Sequence, residues 1–164
     1  MPLDTIEAKI GSLAPDFKLL ATNGQEISLT DFRGKKNVVM FFIRETTCPQ
    51  CRTHVAHLGQ LYNQFRDAGT EVIVILGEGM EKAKQYADGI NLPFPILCDP
   101  DRAIYHLYEL EKYFLLFQRT ASLVVDTHGI VRYLKRTTVP NVWLQESREL
   151  LGFILSLEHG QPVV

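Results

Sequence analysis

Two cysteines three positions apart, in Cys48-Pro49-Gln50-Cys51, stand between an unbroken apolar run, Val38-Val39-Met40-Phe41-Phe42-Ile43, and a segment with helical periodicity. Thiols at that spacing across the first turn of a helix can close a small disulfide, and the helix N-terminus stabilises a thiolate. The chemistry this arrangement suits is thiol redox exchange. On a helical wheel Cys51 falls in the apolar stripe of Val55, Leu58, Tyr62 and Phe65, so its sulfur points toward the core, while Cys48 at the helix start lies nearer solvent. Burial raises a thiol pKa and the helix terminus lowers it, which favours Cys48 as the nucleophile and Cys51 as the resolving thiol.

Other readings of the same residues stand beside this one. Cys48, Cys51, His54 and His57 share three-residue spacing, the pattern of a zinc half-site. Each such step rotates about −60° around a helix, which puts Cys51 and His57 about 120° apart, and a second cysteine pair is missing. Neither a metal nor an organic cofactor is therefore expected. Haem attachment is disfavoured because Arg52, not histidine, follows Cys51. His54 can be a proton shuttle or a partly buried, hydrogen-bonded helix residue. Cys98 can resolve a disulfide or serve as a small buried hydrophobe. Arg44 and Arg52 are either thiolate-stabilising charges or solvated surface groups.

The elements that must position these residues are legible from apolar periodicity. Residues 16–29 predict a hairpin turning at Asn23-Gly24, with both residues of the turn at positive φ. Residues 38–43 form a buried strand, a helix runs from the cysteines to the stop at Gly69, and Val72 to Leu76 form a second buried strand. This strand-helix-strand unit is expected to be parallel and right-handed. A weaker helix is predicted at 80–89, followed by an irregular proline-rich stretch over 92–100 and a short helix at 102–110. Leu123–Asp126 and Ile130–Leu134 predict an antiparallel hairpin around Thr127-His128-Gly129, and residues 144–158 a closing amphipathic helix. The resulting fold class is α/β, a central mixed sheet covered by helices on both faces, in one domain spanning 1–164. Tyr113-Phe114-Leu115-Leu116-Phe117 reads as a buried segment or as an apolar rim that docks a second subunit, so a homodimer is a possible assembly.

Composition narrows the function classes. The chain has 164 residues, 46% hydrophobic and 22% charged, with 17 basic against 19 acidic side chains, a balance that carries no nucleic-acid footprint. Its longest apolar run is far too short to cross a bilayer, and Met1-Pro2-Leu3-Asp4 has neither a basic n-region nor an apolar h-region, so no membrane association and a cytoplasmic location are expected. Three cysteines are too few for the disulfide framework of a small secreted scaffold. No P-loop, dinucleotide fingerprint or zinc-protease helix motif is present.

Several further segments carry a family likeness: Gly11-Ser12-Leu13-Ala14-Pro15-Asp16-Phe17, Leu29-Thr30-Asp31-Phe32-Arg33-Gly34-Lys35, Phe94-Pro95-Ile96-Leu97 with Asp99-Pro100-Asp101-Arg102, and Asp126-Thr127-His128-Gly129. With the cysteine site, and over residues 11–135, the chain resembles the alkyl hydroperoxide reductase/thiol-specific antioxidant (AhpC/TSA) group of peroxiredoxin-like proteins in the thioredoxin-fold superfamily. The resemblance implies a thioredoxin-like fold with an N-terminal β-hairpin. It also implies an antioxidant thiol peroxidase reducing hydroperoxides through Cys48 and Cys51, with an external thioredoxin-type protein as reductant. Peroxiredoxins usually carry Pro-x-x-x-Thr-x-x-Cys, which in this chain places Arg44 at the proline, Cys48 at the threonine and Cys51 at the attacking cysteine. That register makes Cys51 the first thiol oxidised, the reverse of the helical-wheel reading. The family's substrate-orienting arginine falls near Arg119, with Thr120 at the expected position, which is also where thioredoxin carries a cis-proline. Two alternatives follow: a thioredoxin-like disulfide reductase, and a non-catalytic redox sensor or binding module switched by the same disulfide.

Overall fold

The computed structural model describes residues 8–110, 119–137 and 146–158. They build strands β1 (Lys18–Ala21), β2 (Glu26–Ser28) and β3 (Asn37–Phe42), helices α1 (Pro49–Gln60) and α2 (Tyr62–Asp67), and strand β4 (Thr70–Leu76). Helix α3 (Met80–Ile90), strand β5 (Ile96–Cys98), helix α4 (Ala103–Leu107), strands β6 (Thr120–Val125) and β7 (Val131–Thr137), and helix α5 (Glu146–Glu158) follow. The strands form one mixed sheet in the order β2-β1-β5-β4-β3-β6-β7. β3 pairs parallel with β4 and antiparallel with β6, and β4 pairs parallel with β5. The sheet is covered on both faces, as the sequence predicts.

Burial on both faces explains why the central strands show no alternation of polar and apolar residues. From Val38 to Ile43 no residue is more than 1% exposed. Alternate side chains serve different cores: Val39, Phe41 and Ile43 pack with Cys48, Cys51, Val55, Leu58 and Phe65, whereas Val38, Met40 and Phe42 pack with Phe17, Leu29, Tyr105 and Tyr108. The first core lies under α1, α2, α3 and α5; the second lies under the N-terminal segment and α4.

Three details depart from the sequence reading. In the β1–β2 turn only Gly24 takes positive φ, at 86°, with Gly24 N–H donating to Ala21 O. Asn23 contributes through its side chain, whose Oδ1 accepts from Gln25 N–H at 3.1 Å. The helix after the cysteines is divided at Leu61 (φ −92°, ψ 2°), although Leu61 N–H still donates to His57 O and Phe65 N–H to Leu61 O. Gly59, a poor helix former, stands just before the break, where a Cβ would come within 3.3 Å of Leu92 and Pro93. The proline-rich stretch is not wholly irregular, because Ile96–Cys98 forms β5 between β1 and β4. Pro93, Pro95 and Pro100 flank that strand, so none removes a ladder donor. The apolar stretch 113–117 lies outside the described residues, as do positions 144 and 145 of the closing helix.

Candidate active site

The site is built where β3 leaves the sheet. Beyond Phe42, Ile43 N–H still donates to Ile75 O at 2.9 Å, keeping the exit of β3 paired to β4. Tyr105 of α4 reaches across from the other core, its hydroxyl 2.5 Å from Ile43 O and 2.9 Å from Ile75 O, sharing one proton between two buried carbonyls. The chain then turns, with Cys48 N–H donating to Glu45 O at 3.1 Å, and enters α1 at Cys48 as the N-cap. Pro49 occupies the first turn, where its missing N–H costs nothing and its fixed φ suits the helix.

Cys48 acts as a cap through sulfur. Its Sγ accepts from Cys51 N–H at 3.3 Å, and its carbonyl accepts from Arg52 N–H at 3.1 Å. The thiol of Cys51 also hydrogen-bonds the Cys48 sulfur. That contact, with the Cys51 and Gln50 backbone N–H groups and the charge of Arg44, outweighs burial and lowers the Cys48 pKa to about 6. Cys51 is pushed strongly upward, by the hydrogen bond to Cys48 first and by burial second. At neutral pH one sulfur is therefore a thiolate and its neighbour a thiol that donates to it. Both are buried, at 5% and 0% exposure, so the expectation that Cys48 lies near solvent holds only in relative terms.

The surrounding candidates separate. Arg44 contributes charge to the thiolate, whereas Arg52 places its guanidinium 5.5 Å from the centroid of the Tyr86 ring. His54 is 1% exposed, edge-on to Phe41 with centroids 4.5 Å apart, and its Nε2 lies 3.9 Å from Glu146 Oε2 on α5. Burial lowers the imidazole to about 3 and raises the Glu146 carboxyl, so desolvation holds His54 neutral at pH 7 and the contact is not an ion pair. Cys98 sits in β5, separated from β3 by β4, and burial raises its thiol pKa. Thr120, 2% exposed, begins β6; the register that pairs Phe42 with Ala121 sets it one step beyond, level with Ile43. Arg119 and Thr120 thus lie at the end of the sheet from which the cysteine loop departs. A cleft of 580 Å³ lined by Tyr62, Glu71 and Pro95 contains neither site cysteine.

Sequence reasoning missed Tyr105, Tyr86 and Glu146. No local pattern marks a tyrosine whose hydroxyl is used by a distant strand end, or a helix-start glutamate that meets a histidine from another helix.

The AhpC/TSA family pattern matches residues 10–134, which is most of the chain and includes both site cysteines. The chain belongs to the AhpC/TSA family. Within that family it is 30% identical to the chloroplastic peroxiredoxin Q of Sedum lineare over 152 residues, covering 90% of this chain and 81% of that protein. It is also 32% identical over 100 residues to the thiol-disulfide oxidoreductase ResA of Geobacillus thermodenitrificans, covering 60% of this chain and 56% of that one. Against some relatives, among them rice peroxiredoxin Q, the chain spans 57% of their length. A cysteine-to-serine mutant of PrxQ from Xylella fastidiosa shares the fold, with a TM-score of 0.80 over 93% of this chain and 98% of that one at 13% identity. The seven-stranded sheet accordingly has the same fold as that PrxQ structure.

Proposed function

We propose that this AhpC/TSA protein is a thiol peroxidase that reduces hydroperoxides through Cys48 and Cys51. The observation that carries the reading is the buried Cys48 sulfur at the start of α1, accepting from Cys51 N–H at 3.3 Å with the Cys51 thiol beside it, a setting that lowers the Cys48 pKa and raises that of Cys51. The Cys48 thiolate attacks the terminal peroxide oxygen; an S–O bond forms, the O–O bond breaks, and the departing alkoxide takes a proton to leave as alcohol. Sulfur is oxidised to sulfenic acid as the peroxide is reduced. Cys51 then gives up its proton and attacks the Cys48 sulfur, releasing the hydroxyl as water and leaving the Cys48–Cys51 disulfide. An external dithiol of the thioredoxin type reopens it by exchange. Arg119 and Thr120, at the same end of the sheet, are the proposed substrate-orienting residues.

The assembly we propose is a homodimer, supported only by the apolar stretch 113–117; sedimentation of the reduced protein tests it. The location we propose is cytoplasmic, a reducing setting in keeping with three free cysteines.

Peroxide consumption with a thioredoxin-type reductant tests the central reading. Cys48→Ser is expected to abolish turnover, and Cys51→Ser to stop it after one oxidation per chain; full activity in both would sink the mechanism. A second reading, disulfide reduction without peroxide, is favoured by the replacement of both peroxide-motif positions, by Arg44 and Cys48, and by the likeness to ResA. Insulin reduction faster than peroxide turnover would select it.

A further inference from the structure

Tyr86 carries a hydroxyl that the dithiol chemistry leaves unused. It sits on α3, 3% exposed, in the same packed cluster as Cys48 and Cys51, and its oxygen is buried with no hydrogen-bond partner among the described residues. The ring is held against the first turn of α1, because the guanidinium of Arg52, next to Cys51 in the chain, lies 5.5 Å from its centroid. Gly89, on the same helix, leaves room for that guanidinium: a Cβ there would approach Arg52 Nη2 to 2.9 Å. Burial first, and then negative charge at Cys51 and Cys48, raises the phenol pKa, so the hydroxyl keeps its proton and remains a donor.

A buried donor with no acceptor among the described residues is unfavourable, and the Tyr86 hydroxyl is placed to pair with an oxygen that enters beside it. A donor used only when the reacting oxygen arrives is the kind that lowers a barrier instead of merely tightening ground-state binding. We infer that Tyr86 is a further catalytic residue of this site, donating its O–H to the peroxide oxygen that gathers negative charge as the O–O bond breaks at Cys48. The inference rests on the peroxidase reading. It changes none of the atom or electron balance of that step: the hydrogen bond stabilises the departing alkoxide, which takes its proton from water.

Tyr86→Phe removes only the hydroxyl. The second-order rate constant for oxidation of Cys48 by hydrogen peroxide, followed by quenched-flow mass spectrometry, is expected to fall on the order of a hundredfold. Reaction of Cys48 with the aromatic disulfide DTNB, which has no peroxide oxygen, is expected to be unchanged. The thermal midpoint is expected to hold or rise, because an unpaired buried hydroxyl has been removed. An unchanged peroxide rate overturns the inference while leaving the peroxidase reading intact. Equal slowing with both reagents also overturns it, since Tyr86 would then act on the thiolate itself. Failure of hydrogen peroxide to oxidise Cys48 in the wild type would remove the peroxidase reading and this inference together.

Discussion

At the scale of single residues, the largest cause of the difference between Cys48 and Cys51 is one hydrogen bond seen from its two ends. Cys48 gains as the acceptor and Cys51 loses as the donor. Alkylation of Cys48 by iodoacetamide should therefore rise with a midpoint near pH 6, and Cys51→Ala, which removes the donor, should move that midpoint upward; mass spectrometry of the modified peptide reads both. His54 gives a second pH signature. Its folded pKa is depressed to about 3 from an ordinary 6.5, so in the acid range the unfolded chain binds a proton that the folded chain refuses. The stability His54 contributes is present above pH 6.5 and is lost as pH falls toward 3. Glu146 acts with the opposite sign, since its raised carboxyl favours the fold below about 4.5 and ceases to do so as pH rises through the folded pKa. Urea midpoints of wild type and His54→Gln, compared from about pH 7 to 4, should converge on acidification as the wild type loses the His54 contribution.

At the scale of elements, the reactive loop depends on how β3 ends and α1 begins. Tyr105 binds the exits of β3 and β4 from a helix on the opposite face, and α4 is itself fixed by Asp99 Oδ2, which accepts from Ile104 N–H at 2.8 Å and Tyr105 N–H at 3.0 Å. Tyr105→Phe keeps the ring, which packs edge-on to Phe42, and deprives the Ile43 carbonyl of its donor. The expected cost is about 1–3 kcal/mol in chemical unfolding, the penalty of a buried unsatisfied group. A mutant of wild-type stability would show that the hydroxyl does not hold the strand exit.

At the scale of the whole molecule, the two-sided sheet couples the redox state of the site to global stability. The Cys48 thiol titrates near 6 in the folded protein against an ordinary 9, so the unfolded chain holds its proton to higher pH and folding of the reduced form is favoured as pH rises between those values. The disulfide has no proton to exchange, and its short loop constrains the unfolded chain little. Calorimetry should therefore show the thermal midpoint of the reduced form gaining on that of the oxidised form from pH 6 to 9, with the gain absent below pH 6. A constant difference across that range would mean that the thiolate is not specifically stabilised by the fold.

Local chemistry made much of this protein legible in its sequence. The apolar runs at 38–43 and 72–76 announce buried strands because burial on both faces removes polar alternation, and Cys-x-x-Cys at a strand-to-helix junction announces redox chemistry because helix geometry alone brings the sulfurs together. Tertiary structure decided what depends on groups distant in the chain. Ile96–Cys98 became a strand only because β1 and β4 offered edges on either side of it. His54 became a neutral core residue because Phe41 and Glu146 close over it, which its place on the helical wheel could not distinguish from a shuttle at the surface. The unequal acidities of Cys48 and Cys51 follow from burial, the Arg44 charge and a hydrogen bond whose direction is set by packing, quantities that spacing along the chain does not contain.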